Sequence, residues 1–302
     1  MITTAKQIEG ITREHLHNGG LLFGQCVTAV GWVGGTIPPD CIDKGIIEIP
    51  MTDVAGPGFA VGAALMGKRP IFVVRYQGFM WLNASTLVNY AAKSKEVWGV
   101  PCPVFVRAIG MEGNGVGHTA SGSLHALFMH TPGIRVEAPM TPKEYTEVWQ
   151  RFMEGDDPVY CSEHRTSYGL IDESLPKRQI TTKPKITIFA ISAARLPVHQ
   201  FAQKYAQDCD VFHITTLKPF FPSPTMLESL RCSGVGLVVD SGYTIAGASQ
   251  AVAYALSRAA ERPVHALGLA DRVCGAGPRV ENVTPSENSI ANWVTTLIRK
   301  YK

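Results

Sequence analysis

Residues 50–65, PMTDVAGPGFAVGAAL, decide the fold. They follow the apolar run GIIEIP (45–50) and precede PIFVVRY (70–76). The short apolar runs read as strands and AVGAALMG (60–67) as a helix between them. Apolar strands joined through a helix imply a mostly parallel sheet covered on both faces, because both strand faces must be apolar. Asp53 stands where the first strand turns toward the helix, among Gly56, Gly58 and Gly62.

The same alternation extends outward from this unit. Ile8, Ile11, His15 and Leu16 recur at helical spacing near the N-terminus. LLFGQC (21–26) reads as a strand, ASTLVNYAAKSKEVW (84–98) as a helix and PVFVRAIG (103–110) as a strand. SLHALFMH (123–130) follows as a helix, IRVEAP (134–139) as a strand, and PVYCSEH (158–164) closes the set as a strand. The helix TPKEYTEVWQRFME (141–154) opens with Thr141 and carries Glu144 three residues on, the capping-box pattern. The polar stretch 165–184 then changes character, and the alternation restarts at KITIFAIS (185–192). RLPVHQFAQKYAQ (195–207) and GASQAVAYALSRAAE (247–261) read as helices, DVFHITT (210–216), GVGLVVDSG (234–242) and PVHALGLA (263–270) as strands, and about 286–301 as a last helix. The expected architecture is α/β: two three-layer domains with mostly parallel sheets, 1–170 and 185–302, joined by a linker at 171–184. A length of 302 residues at roughly 150 per domain agrees with two.

Composition narrows the function classes. Hydrophobic residues make up 45% and charged residues 18%, which suits a core-burying globular chain. The net charge of +3 is too small for a nucleic-acid footprint. Seven cysteines form no C-x-x-C pair, so reduced, mostly buried thiols and a cytoplasmic location are expected. Residues 19–39 carry no charge and have spanning length, but their six glycines and the Pro38-Pro39 end read as strand and tight loop, not as a membrane helix.

Several residues could carry chemistry. The glycines around Asp53 invite a dinucleotide-binding interpretation, with Arg75 suited to the 2′-phosphate of NADP, but the spacing is G-x-G-x-x-x-G and close helix–sheet packing explains it better. A second glycine-rich loop, GNGVGHTASG (113–122), follows a strand and holds His118, with His125 just inside the next helix. His130 sits in an apolar helical context and reads as a core histidine. No H-E-x-x-H, G-x-S-x-G or P-loop occurs. Phe79, in RYQGFMW, lies 26 positions after Asp53 at the end of the next strand–loop. A carboxylate and an aromatic ring on neighbouring strand ends can clamp a flat, protonatable heterocycle; the plainer role for Asp53 is a helix cap.

At this point the chain resembles the pyrimidine-binding and C-terminal domains of transketolase-like thiamine diphosphate enzymes, and among them the beta subunit of the first component of 2-oxo acid dehydrogenase complexes. The likeness runs from Gly24 to about Ile298. It is carried by PMTDVAGPGFAVGAAL, STLVNYAAK, FMHTPGIRVEAP and, in the second half, ITIFAIS, VFHITTLKPF and VVDSGYTIAGASQAVAYAL, in the family's order. The resemblance implies that Asp53 takes the place of the glutamate that binds the cofactor's aminopyrimidine ring nitrogen, promoting loss of the thiazolium proton. It places Phe79 against that ring, and Tyr76 and Gln25 beside the cofactor.

Three departures stand out. Asp53 is one methylene shorter than glutamate, a gap of about 1 Å to be closed for a hydrogen bond of ~2.6–3.2 Å. Gly24-Gln25-Cys26 replaces the family's G-E-D, and Ala120 fills the position of its acyl-transfer histidine, leaving His118 or His125 as the nearby acid–base groups. No G-D-G with a following asparagine is present, so this half lacks ligands for magnesium and the diphosphate. The resemblance therefore implies a split enzyme: an alpha-type partner carrying Mg2+, an alpha2beta2 heterotetramer, and thiamine diphosphate at the interface. The expected reaction cleaves a carbon–carbon bond next to a ketone and passes the fragment to an aldehyde, as in transketolase. The alternatives are transfer to a lipoyl arm, a non-catalytic scaffold relative, or the NADP dehydrogenase. No nucleic acid and no membrane are expected as partners.

Overall fold

The computed structural model describes residues 1–112, 116–176, 178–179, 181, 183–205 and 208–301. Two compact units emerge, Met1–Met111 with Thr119–Asp172, and Glu112–His118 with Glu173–Lys302.

The first unit runs α1 (Thr4–His17), β1 (Leu22–Gly24), α2 (Ala29–Gly35), β2 (Ile46–Glu48), α3 (Gly56–Leu65), β3 (Ile71–Val74), α4 (Met80–Thr86), α5 (Ala92–Trp98), β4 (Phe105–Gly110), α6 (His125–Met129), β5 (Arg135–Glu137), α7 (Pro142–Glu154) and β6 (Val159–His164). Its strands lie in the order β5-β6-β4-β3-β1-β2, and each of these pairings is parallel. The core joins Ile8 and Leu16 of α1, Ile71 and Val73 of β3, Phe105 of β4 and Tyr145, Val148 and Phe152 of α7. Strands β3, β4 and β6 are buried along their whole length, as parallel strands covered on both faces must be. After β1 the chain adds β2 on one side and then crosses to place β3 on the other. That reversal opens a crevice at the carboxyl ends of β1 and β3.

Local signals set the element ends. Thr141 Oγ1 accepts from the Glu144 N–H at 3.5 Å, but the Glu144 carboxylate reaches back to the Met140 N–H at 3.0 Å, one residue beyond the usual capping-box donor. The helix expected as one piece over 84–98 is interrupted by a π turn at Leu87–Ala91, which divides α4 from α5. The stretch expected as strand and loop over 19–39 contains a left-handed turn: Gly31, Trp32, Val33, Gly34 and Gly35 all have φ between +53° and +74°. Three glycines make that affordable, since each non-glycine there costs about 1–2 kcal/mol.

The second unit contains β7 (Arg178–Gln179), β8 (Ile186–Ile191), α8 (Arg195–Lys204), β9 (Cys209–Ile214), β10 (Thr216–Lys218), α9 (Pro224–Ser233), β11 (Gly236–Tyr243), α10 (Ala248–Ala260), β12 (Val264–Leu269), β13 (Gly275–Ala276), β14 (Glu281–Asn282) and α11 (Glu287–Tyr301). Its sheet has the order β12-β11-β8-β9-β7, parallel except for the antiparallel edge strand β7. Strand β7 lies inside the segment expected to be a linker. Helix α9 had no counterpart in the expected pattern, although Ser223 caps its start, Pro224 opens it and Gly234 ends it at φ +80°. Six of the seven cysteines are buried or half-buried, while Cys232 is exposed.

One buried ion pair ties β4 to β6. Arg107 Nε and Nη2 reach the two Glu163 carboxylate oxygens at 2.7 and 3.0 Å, and both side chains are almost fully buried. Thr36, Tyr145 and Tyr168 supply further hydrogen bonds at 2.9, 2.8 and 3.1 Å. Burial opposes the Arg107 charge, but the Glu163 carboxylate outweighs it and keeps the guanidinium protonated. Glu163→Gln should therefore cost about 3–5 kcal/mol in urea unfolding, because it strands a buried cation, and Arg107→Met combined with Glu163→Met should recover much of that loss.

Candidate active site

A cavity of about 120 Å3 occupies the crevice at the β1–β3 reversal, lined by Gln25 and Cys26 after β1, Met51 after β2, and Arg75, Tyr76, Phe79 and Asn83 after β3. Gly24 permits the approach of the strands, since a Cβ there would lie 2.6 Å from Val27 Cγ1 and 2.9 Å from the Val73 carbonyl oxygen. Cys26 adopts φ +52°, an uncommon conformation for a side-chain-bearing residue, right at the cavity wall.

Asp53 is held by two of the lining amides. With its amide set to satisfy its neighbours, Gln25 donates to Asp53 Oδ1 at 3.2 Å and accepts from the N–H groups of Asp53 and Thr52 at 3.3 and 3.1 Å. Asn83 donates to the same Oδ1 at 3.3 Å and to the Phe79 carbonyl at 3.0 Å. The other carboxylate oxygen makes no hydrogen bond among the described residues. Helix α3 is not capped by Asp53: its N-cap is Ala55, with no side-chain cap. Of the glycines beside it, Gly56 serves packing, since a Cβ would sit 2.9 Å from Ile49 Cδ1, whereas Gly62 faces open space.

The aromatic wall is Tyr76 and Phe79, edge to face with centroids 6.1 Å apart. The Arg75 and Arg165 guanidiniums lie 5.5 and 6.0 Å from the centre of the Tyr76 ring. Arg75 Nε and Arg165 Nε and Nη2 are buried without a hydrogen-bond partner among the described residues.

Of the expected site residues Gln25, Tyr76 and Phe79 line the cavity, and Asp53, outside the lining itself, is bonded to the lining amides of Gln25 and Asn83. His125 stands apart from its lining: it is fully buried, with Nδ1 3.1 Å from Ser162 Oγ. His118 is exposed and belongs to the second unit, where its Nδ1 lies 2.9 Å from the Cys274 carbonyl. Residues 113–115 of its loop lie outside the described residues. Asn83 and Met51 escaped the sequence analysis, and Cys26 entered it only as part of the Gly24-Gln25-Cys26 departure from the family motif. For Asn83 a signal existed: it follows Phe79 by four residues, one helical turn. Among the described residues no three His, Cys, Asp or Glu side chains gather as a metal site.

The two parallel-sheet units have the fold of transketolase-like thiamine diphosphate enzymes. A solved split-gene transketolase, an inactive beta4 tetramer, superposes with a TM-score of 0.74 over 100% of this chain and 99% of that chain, at 17% identity. Residues 23–170 match the family model of the transketolase pyrimidine-binding domain. The beta subunit of the pyruvate dehydrogenase E1 component of Rickettsia conorii is 27% identical, covering 83% of this chain and 82% of that protein. The 2-oxoisovalerate dehydrogenase subunit beta of Bacillus subtilis is 28% identical over 65% of this chain and 64% of its own length. The beta subunit of acetoin:2,6-dichlorophenolindophenol oxidoreductase from Cupriavidus necator is 29% identical over 65% and 62%.

His164, on β6, is buried, and burial with the nearby His125 pushes its pKa from 6.5 to about 4. Between those values the unfolded chain binds a proton that the folded chain refuses, so stability falls as pH drops from 6.5 toward about 4. Urea midpoints measured across that range should decline with acidity, and His164→Asn should flatten part of the decline.

Proposed function

We propose that this chain is the beta-type subunit of a split thiamine diphosphate-dependent enzyme that cleaves a carbon–carbon bond next to a ketone and transfers the fragment to an aldehyde acceptor. The observation that carries this reading is the Asp53 carboxylate, oriented by Gln25 and Asn83 through one oxygen with the other left free, beside a cavity walled by Phe79 and Tyr76.

The donor set fits an aminopyrimidine. A free carboxylate oxygen accepts from a protonated ring nitrogen, two amides keep it aimed, and an aromatic edge packs on the flat ring. Thiamine diphosphate, when bound, supplies the carbon nucleophile that attacks the ketone. Asp53 holds the proton at the ring nitrogen; Gln25 and Asn83 fix the carboxylate; Phe79 shields the ring from water. The unpaired guanidiniums of Arg75 and Arg165 suit a carboxylate or phosphate on the substrate. The diphosphate and Mg2+ are assigned to an alpha-type partner, in an alpha2beta2 assembly. Of the two candidate acid–base histidines His118 is exposed and the His125 ring is enclosed, so proton transfer to the acceptor falls to an exposed group or to the partner.

A second acceptor, a lipoyl arm, is favoured by one observation: the relatives at 27–28% identity are named as dehydrogenase beta subunits. Assaying the reconstituted pair with a 2-oxo donor and either an aldehyde or free lipoamide separates the two.

Calorimetry should show tight, magnesium-dependent thiamine diphosphate binding only after the alpha-type partner is added; tight binding by this chain alone would sink the split-enzyme reading. In the reconstituted pair Asp53→Asn should slow both turnover and exchange of the thiazolium proton by about 100-fold or more, since a positioned acid or base contributes about 100- to 10,000-fold. Retained exchange would remove Asp53 from the site, and activity in Asp53→Glu would show that the longer side chain is still accommodated.

A further inference from the structure

Gln77 belongs to the turn between Tyr76 and Phe79, yet its side chain points into the protein and is fully buried. Its Nε2 lies 3.1 Å from the Ala108 carbonyl, 2.8 Å from Ser162 Oγ and 3.2 Å from the Glu163 carbonyl. Its Oε1 accepts from the Leu124 N–H at 2.6 Å and from the Tyr160 hydroxyl at 3.0 Å. One amide therefore joins the end of β3 to β4, to β6 and to the loop that leads into α6. The next residue makes the same junction by shape: a Cβ on Gly78 would collide with the Thr119 carbonyl oxygen. Ser162 passes the network on to His125 at 3.1 Å.

A solvated loop tip has no need of a buried amide with both ends used. Here the turn that carries the cavity's aromatic wall and the loop 119–124 are locked together, and neither can shift without breaking hydrogen bonds in a site closed to water. We infer that Gln77 is a positioning residue, whose buried amide sets the Tyr76–Phe79 wall and the 119–124 loop as one rigid piece for catalysis. The inference rests on the proposed cofactor reading of the Asp53 cavity and deepens it. Gln77 does not touch the reacting atoms; it acts through Phe79 and through the backbone at Leu124.

The test uses the chain reconstituted with its alpha-type partner and two variants. Gln77→Met keeps the volume but leaves the Leu124 N–H, the Tyr160 hydroxyl and Ser162 without this partner. Turnover should fall about 100-fold, the scale of a misplacement near 1 Å. Because that variant could simply unfold, Gln77→Glu is the decisive one. Only its protonated form reproduces the amide, offering C=O to Leu124 and Tyr160 and O–H to Ser162; the ionised form would face the carbonyls of Ala108 and Glu163. The titratable groups facing position 77 are the Tyr160 phenol, which burial keeps protonated, and, through Ser162, His125 with His164 beside it. The Glu163 carboxylate faces away, toward Arg107.

The ratio of Gln77→Glu to wild-type turnover should therefore approach one at low pH and fall about tenfold per pH unit above the titration of the new carboxyl. A flat ratio, or a lowered melting temperature with unchanged turnover and profile, would overturn the positioning role while leaving the cofactor reading intact. Failure of the wild-type pair to bind thiamine diphosphate would overturn both together.

Discussion

A parallel sheet buried on both faces leaves its chemistry few places to go. Apolar side chains cover both surfaces of β3, β4 and β6, so polar groups can meet a ligand only beyond the strand ends. Strand order then selects the place: β1 lies between β2 and β3, and the chain leaves it in opposite directions. The loops after β1 and β3 diverge, and the crevice between them holds Gln25, Cys26, Arg75, Tyr76 and Phe79. Everything proposed for the site depends on this reversal.

The arrangement is held by buried polar pairs placed behind it. Arg107 and Glu163 join β4 to β6, and Gln77 joins the ends of β3, β4 and β6 to the loop before α6. Such groups add little net stability compared with well-packed apolar residues, but they have few alternative partners and so fix register and turn geometry. The cavity wall at Tyr76 and Phe79 is consequently a rigid shelf. The Asp53 carboxylate is fixed by a separate device, two amides sharing one oxygen, which leaves the second oxygen for chemistry.

In the proposed site the Asp53 carboxylate depends on its neighbours for its position. The Gln25 amide donates to Asp53 Oδ1 and accepts from the Asp53 and Thr52 N–H groups. With a neutral amide at 25 the Asp53 carboxylate meets a hydrogen-bond donor there and no second negative charge. Arg75, in the cavity lining, and Arg165 both lie against the Tyr76 ring, with buried nitrogens that have no hydrogen-bond partner among the described residues.

The sequence alone determined the alternation of apolar strands with helices, the restart at residue 185, and the placement of Asp53 and Phe79 after successive strands. Those are local properties, written in periodicity, caps and motif order. Even there, helix α9 was legible in Ser223, Pro224 and Gly234, and the π turn at Leu87–Ala91 was not, because nothing local marks it. Only the tertiary structure decided that Asp53 binds side-chain amides and leaves the start of α3 uncapped. Only it separated the two histidines, enclosing His125 against Ser162 and leaving His118 exposed beside Cys274. Asn83 and Gln77 reached their roles the same way. An asparagine or a glutamine in a helical or turn segment reads as solvated surface; which of them is buried, and against which strand end, is fixed by strand order, and strand order is set by contacts distant in the chain.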